Sequence, residues 1–133
     1  MRHAKFAVPL FCLALAAPLL GDAQQPPAGF KRTVLQRADL SAPGREVVMA
    51  LAELPPGMAV GRHTHPGEEV SYVLEGSIQL LVDGQPPREV KAGEAFIVPA
   101  GTIHDAKVVG DRGGKVLASY IVEKGKPLAT PAP

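Results

Sequence analysis

Apolar and polar residues follow two different patterns along this chain of 133 residues. Residues 6–20 form an almost unbroken apolar run, interrupted only by Pro9 and Pro18. From residue 30 onward, apolar residues, many of them Val and Ile, recur instead in short stretches separated by turn-forming residues. Short alternating stretches of this kind are typical of β-strands, whose side chains point to opposite faces in turn.

The region between residues 30 and 125 is predicted to form a single all-β domain. The predicted strands cover 33–38, 46–54, 70–74, 77–82, 88–90, 95–98, 103–108 and 115–122. Proline and glycine turns separate them, and Gly76 predicts a tight hairpin between two of these strands. No stretch of ten residues in this region has a convincing helical pattern. So many short strands in so short a region predict a sandwich or closed barrel, which also removes exposed strand edges.

The N-terminal apolar run predicts a secretory signal peptide over residues 1–23. It follows the basic residues Arg2 and Lys5 and ends in small residues, which predict cleavage after Ala23. The alternative is a membrane anchor, but the run is shorter than the ~20 residues that a spanning helix needs, so no stable membrane insertion is predicted. The expected location is therefore periplasmic or secreted. Residues 24–29 are predicted to be a linker, and the proline-rich 126–133 a flexible tail.

Charge and cysteine content exclude several partners and chemistries. The chain has 14 Lys and Arg against 13 Asp and Glu, and removal of the leader leaves equal numbers of each sign. There is no basic stripe, so no nucleic-acid partner is predicted. Cys12 is the only cysteine and lies in the leader. The mature chain is therefore predicted to have neither a disulfide nor thiolate chemistry.

The histidines of the mature chain predict a metal site. His63 and His65 are one residue apart, a spacing that places both imidazoles on one face of a strand. Glu69 follows after a turn that can bring its carboxylate beside them, and His104 follows the turn at 99–102. Three imidazoles and one carboxylate suit a divalent first-row ion and leave coordination positions open. The predicted cofactor is one divalent transition metal, with zinc, manganese, copper, nickel and iron all left open.

Two motifs in this chain resemble those of the cupins. The first has Gly57, His63, His65, Glu69 and Gly76 at the spacing of the cupin pattern. The second has Gly93, Pro99, Gly101 and His104 at the spacing of the second cupin pattern. The resemblance extends over about residues 50–122 and is closest to the small, single-domain, quercetin-dioxygenase-like type. It implies a jelly-roll β-barrel that holds a metal on His63, His65, Glu69 and His104, and it selects Glu69 over the neighbouring Glu68 as the ligand.

The resemblance implies a scaffold that carries many reactions, so three functions stay open at this point. The first is a metal-dependent dioxygenase-like enzyme acting on a small organic substrate, with Glu69 as the catalytic base. The second is a non-oxidative isomerase or lyase acting on a sugar acid, with the ion as Lewis acid. The third is a module that binds a metal or small ligand without turnover.

Two further features bear on partners. Val70, Tyr72 and Leu74 alternate against the face of the predicted ligands, so they fit either a homodimer or a monomer whose N-terminal strand covers them. Arg45 and Arg62 are candidates to meet an anionic substrate, although exposed arginines are common in any protein.

Overall fold

A computed structural model describes residues 28–133 of the chain. The predicted signal peptide and most of the predicted linker lie outside the described residues. Ten strands and no helix form this part of the chain, so the all-β prediction is confirmed. None of residues 28–133 belongs to a helix that could cross a membrane.

The strands match the sequence pattern closely. They are β1 (Lys31–Asp39), β2 (Arg45–Leu54), β3 (His63–Thr64), β4 (Gly67–Glu75), β5 (Ser77–Val82), β6 (Arg88–Lys91), β7 (Ala95–Val98), β8 (His104–Val108), β9 (Gly114–Glu123) and β10 (Thr130–Pro131). All eight predicted strands are present. The two that the pattern did not predict, β3 and β10, have two residues each and are too short to show alternation.

Two five-stranded sheets face each other. One has the order β1-β2-β9-β4-β7 and the other the order β10-β3-β8-β5-β6, and all their pairings are antiparallel. Along β2 and β9 every second residue is buried, as expected for strands with one face on a core. The core between the sheets is mostly apolar, with Val73 and Ile78 fully buried. Its packing positions the ends of β3, β4 and β8.

Small side chains meet at the centre of the first sheet. Ala50 of β2 lies opposite Ala118 of β9, which in turn lies opposite Ser71 of β4. All three are buried, and they fill much less volume than the valines and isoleucines elsewhere in the core. Since cores otherwise pack to high density, a cluster of small residues leaves room between the sheets. Ala118 lines the same cavity as the buried side chains of His63, Glu69 and His104.

One connection differs from its prediction. Gly76 has the expected positive φ of 76°, but it does not close a hairpin, because β4 and β5 belong to different sheets. The single glycine instead carries the chain across from one sheet to the other, with the backbone of Gly113 too close to allow a Cβ. The predicted tail 126–133 contains β10, which pairs with β3. This pairing is made by backbone groups, which the proline content of the segment does not indicate.

Candidate metal centre

The four predicted ligands come from three strands and one short connection. His63 lies in β3 and is the register partner of His104, the first residue of β8. His65 follows β3, and Glu69 lies on the inner face of β4. All four side chains are buried, between 2% and 8% exposed. The structure therefore brings together all three histidines of residues 28–133, although His104 is far from the other two along the chain.

Their ligand atoms converge on one point. One atom from each residue, imidazole nitrogen or carboxylate oxygen, lies within 4.8 Å of the others. The Oε2 atom of Glu69 is 3.1 Å from Nε2 of His65 and 3.3 Å from Nε2 of His104. Atoms at these separations can all reach a central ion at the usual metal–ligand distance of about 2.0–2.2 Å after small adjustments.

Backbone carbonyls fix the orientation of all three imidazoles. Nδ1 of His63 lies 2.7 Å from the carbonyl oxygen of Gly61. Nδ1 of His65 lies 2.6 Å from that of Leu128, and Nδ1 of His104 lies 2.9 Å from that of Thr102. A carbonyl oxygen only accepts, so each Nδ1 must carry the proton and donate it. In a neutral ring the lone pair is then on Nε2, the atom directed at the centre. This is the arrangement in which protein imidazoles bind metals.

Glu69 is held as a carboxylate. Burial alone would raise its pKa, but hydrogen bonds with His104 and Ser71 and the nearby ring of His65 outweigh it, and the pKa lies well below its usual range. The hydroxyl of Ser71 donates to Oε1 at 2.6 Å, which leaves Oε2 to face the imidazoles. Glu68 is directed away from this cluster by strand alternation and is only half-buried.

The histidines respond to their surroundings differently. Burial lowers the pKa of His63 to about 4, so this ring is neutral at ordinary pH. Burial also acts to lower the pKa of His104, but the hydrogen bond to Glu69 outweighs it and raises the pKa. Nε2 of His65 is buried without a hydrogen-bond partner. In a neutral ring with the proton on Nδ1, this atom and Oε2 of Glu69 are two acceptors facing each other.

These observations fit a divalent ion. Two buried acceptors 3.1 Å apart repel each other unless a proton or a metal cation lies between them. The set of three nitrogens and one carboxylate oxygen is one that zinc, copper, nickel, manganese and iron accept. One charge from Glu69 offsets half the charge of such an ion, which leaves the occupied site with a net positive charge.

A narrow cavity of about 40 Å³ adjoins the centre. His63, Glu69 and His104 form one part of its wall, and Arg32 is the other charged residue there. The rest of the wall is aromatic or apolar and includes Phe30, Tyr120, Phe96, Ala52, Val60, Leu80, Ala106 and Ala118. Room of this size holds about three water-sized molecules. Flavonol-sized ligands need several hundred Å³, so the described cavity suits a much smaller molecule.

The arginines considered from the sequence do not line this cavity, and a different one does. Arg62 instead donates to both carboxylate oxygens of Asp83 and to the backbone oxygen of Pro133. Arg32, which the sequence pattern did not single out, lies in the cavity wall. A basic residue on an exposed edge strand carries no distinguishing signal in sequence. The carbonyl of Leu128 was missed for a similar reason, because any residue could supply it.

A larger groove of about 640 Å³ opens near the start of β9, away from the histidines. Two of its three basic residues are paired within the chain, Lys31 with Glu53 and Lys115 with Glu75. It contains no convergent set of metal-ligating atoms among residues 28–133. The candidate chemistry therefore lies at the buried centre.

Comparison with known proteins agrees with this geometry. The family model of the cupin domain matches residues 50–120. The chain is 35% identical over 51 residues to dimethylsulfoniopropionate lyase DddQ of Ruegeria pomeroyi, covering 38% of this chain and 25% of the lyase. It is 36% identical over 69 residues to lyase DddW of the same organism, covering 52% and 44%. An oxalate-binding protein of Thermotoga maritima is 33% identical over 76 residues, covering 56% and 62%.

Solved structures share the fold. A cupin superfamily protein of Desulfitobacterium hafniense superposes with a TM-score of 0.60 at 20% identity, covering 72% of this chain and 80% of that one. DddQ of Ruegeria pomeroyi superposes with a TM-score of 0.64 at 23% identity, covering 77% and 51%. The matched part is at most about half of either lyase, so these likenesses describe the barrel and not the whole of those proteins.

The C-terminal segment is expected to support metal binding through His65. Deletion of residues 126–133 removes the carbonyl of Leu128, so the His65 ring loses its orientation, and zinc affinity should fall about 10- to 100-fold. Deletion of 130–133 alone is the matched control, because it removes β10 but keeps Leu128, and its effect should be much smaller. Zinc affinity is measured by competition with a chelator. Equal affinity for the full chain and both truncations would contradict the role of this carbonyl.

Proposed function

We propose, starting from the fact that this chain belongs to the cupin family, that it is an exported metal-dependent enzyme acting on a small organic molecule. The observation that carries the proposal is the convergence of four buried ligand atoms whose three imidazoles are fixed through Nδ1. A purely structural histidine cluster has no need of a cavity beside it. Here three of the four predicted ligands, His63, Glu69 and His104, also line the cavity.

The residues of the chain divide the work of such a site. The carbonyl-bound imidazoles keep their Nε2 atoms directed at the centre, and Ser71 holds Glu69 in place by its hydrogen bond. The apolar walls exclude bulk water, which strengthens electrostatic interactions inside the cavity. A bound divalent ion would supply Lewis-acid character and open coordination positions for oxygen atoms of a substrate or of dioxygen. Glu69 is the residue that we assign as base, in a state in which its carboxylate has moved away from the imidazoles.

We give first place to a dioxygenase-like reaction, because three nitrogens and one carboxylate leave room on a five- or six-coordinate ion for more than one added ligand. The small cavity limits the substrate to a compact molecule. A metal-dependent lyase is the second candidate, since DddQ and DddW are named as lyases. The oxalate-binding relative supports a third candidate, a binding module without turnover.

Glu69 is expected to be required for metal binding and turnover. Glu69→Gln removes the one anionic ligand, so affinity for zinc or manganese should fall by about 100-fold or more, beyond the usual loss for a residue that only supports a ligand. Glu68→Gln is the matched control, a neighbouring acid outside the cluster, and should bind metal as the wild type does. Metal content is measured on protein from the exported fraction. The same preparations are then tested for oxygen uptake with small enols and catechols.

The outcomes separate the three candidates. Oxygen uptake that is lost in Glu69→Gln and kept in Glu68→Gln is the result expected for the dioxygenase-like enzyme. Substrate loss that proceeds equally under argon would favour the lyase. Stoichiometric metal with neither reaction would favour the binding module. If both variants keep the wild-type metal content, the four-residue site is wrong.

Export is proposed from the N-terminal pattern. The mature protein in the exported fraction should begin at Gln24, which is checked by intact mass and N-terminal sequencing. Leu15→Arg, which places a charge in the middle of the apolar run, should retain the full-length precursor inside the cell, whereas Leu15→Ile should not. Full-length protein in the exported fraction would contradict cleavage after Ala23. Equal export of both variants would contradict the signal peptide itself.

A homodimer through the outer face of the first sheet is also proposed. Val70, Tyr72 and Leu74 of β4 and Ile97 of β7 are 38–64% exposed, and Val70 and Ile97 are register partners, so the apolar surface is continuous. The alternative was that the N-terminal strand covers this apolar face. The first strand of the described residues, β1, instead lies at the edge of the sheet and not over β4. A second copy presents the same apolar face and is the partner that a two-fold interface requires.

The dimer should dissociate when this face is made charged. Tyr72→Glu with Ile97→Glu is expected to give a monomer in sedimentation velocity, because each substitution would bury a carboxylate in an apolar interface. Lys107→Glu, an exposed charge change in the other sheet, is the control and should leave the dimer intact. A wild-type protein that sediments as a monomer at high micromolar concentration would overturn the proposal.

A further inference from the structure

Arg32 has an unusual position for a residue of an edge strand. Arg32 is the one partly buried residue of β1, and the remaining eight residues of this strand are all exposed. Its side chain lies in the wall of the same cavity as His63, Glu69 and His104. Phe30, two residues earlier and on the same face, lies in that wall as well. The edge strand thus turns one cation toward the candidate metal centre.

Aromatic rings hold the guanidinium in place. Its Cζ atom is 5.2 Å from the ring centre of Phe30 and 5.5 Å from that of Tyr120. The Tyr120 ring is itself 4.7 Å, centre to centre, from the ring of His65. Contacts of this kind leave the N–H groups at the edge of the guanidinium free to donate, while the faces pack on the rings. Tyr120 therefore connects Arg32 to the metal ligands by direct packing.

The guanidinium has unused hydrogen-bonding capacity. Its Nε is buried and makes no hydrogen bond. Within residues 28–133, no carboxylate lies close enough to form an ion pair with Arg32, and Glu69 is the only acid in the cavity wall. A buried donor without a partner is costly and is normally satisfied by something. Nη1 of Arg45 is similarly unpaired, but Arg45 does not line the cavity.

Three other arginines of the fold have hydrogen-bond or ion-pair partners within the chain. Arg62 binds Asp83 through two N–H groups, and Arg37 pairs with Glu46. Arg88 donates to the backbone oxygen of Ala95. Arg32 differs from these three because its neighbours within the chain are the rings of Phe30 and Tyr120 and not a carboxylate, and its cationic group faces a cavity. A cavity that would hold a divalent ion, one carboxylate and one guanidinium has a net positive charge and favours an anion.

We propose that Arg32 is the carboxylate-binding residue of the site, and that the ligand is a small organic anion anchored at both ends. Its carboxylate accepts hydrogen bonds from the guanidinium of Arg32, the side chain whose planar fork matches a carboxylate. A second oxygen atom of this anion is directed at the point where the four metal-ligating atoms of the chain converge. The cavity volume of about 40 Å³ restricts this class to molecules of a few heavy atoms, such as short dicarboxylates and hydroxy acids.

The proposal rests on the proposed function for the second anchor, and a binding assay separates the two. Zinc-loaded protein is titrated calorimetrically with 3-hydroxypropionate and 3-hydroxypropanamide, and with lactate and lactamide, two pairs in which the amide has no carboxylate left. No turnover is needed for this readout. The wild type should bind each carboxylate about 10- to 100-fold more tightly than its amide, since the amide cannot accept charge-assisted bonds from Arg32.

Arg32→Met should remove that preference, so that carboxylate and amide bind with similar affinity, while its zinc content and thermal stability stay those of the wild type. Lys31→Met is the matched control: it removes one positive charge at the adjacent position, whose side chain is exposed and pairs with Glu53. It should keep the full preference. Arg32→Lys keeps the charge without the fork and should give an intermediate preference.

Two results would overturn the assignment. One is an Arg32→Met protein that binds zinc and still prefers 3-hydroxypropionate over its amide as the wild type does. The other is inorganic phosphate binding to the wild type as tightly as 3-hydroxypropionate, because the site would then recognise charge and not a carboxylate. Failure of the proposed function is a separate result. Zinc-loaded wild type that turns over no substrate, yet keeps a carboxylate preference that Arg32→Met loses, would support the role of Arg32 alone.

Discussion

Three hydrogen bonds between imidazole Nδ1–H groups and backbone carbonyls determine how the centre of this barrel is organised. In each ring that is neutral they leave the lone pair on Nε2, and they fix the direction in which Nε2 points. The three carbonyls belong to Gly61, Thr102 and Leu128, residues before β3, before β8 and after β9. The geometry of the centre therefore depends on the packing of three separate segments, which the two sheets hold in register.

The centre has a cost that the rest of the fold must offset. Four ionisable side chains occupy the inner faces of β3, β4 and β8 and their margins, where apolar residues would otherwise pack. A row of small residues, Ala50, Ala118 and Ser71, makes the space for them and for the cavity. Ion binding would return stability, because a ligand that binds only the folded chain stabilises it. The apolar cluster around Val73 and Ile78 stabilises the barrel by burial of apolar surface.

Much of this architecture is predictable from the sequence, for identifiable reasons. Strands such as β2 and β9 alternate cleanly because one face is buried, and Val and Ile mark them. The sequence predicts the four ligands because their side-chain chemistry and their spacing can be read directly from it; they are His63, His65, Glu69 and His104. Leu128 contributes only a backbone carbonyl, which every residue has. β3 and β10 have too few residues to show a period, and Arg32 differs from other arginines only in its three-dimensional surroundings.

The most direct test of this account is a crystal structure of the protein loaded with zinc or manganese, with the ion located by its anomalous scattering. The account predicts one ion per chain, about 2.0–2.2 Å from Nε2 of each of the three histidines and from a carboxylate oxygen of Glu69. The Nδ1 atoms would keep their carbonyl partners. An ion bound through Nδ1, or an ion elsewhere in the barrel with these four side chains unchanged, would contradict it.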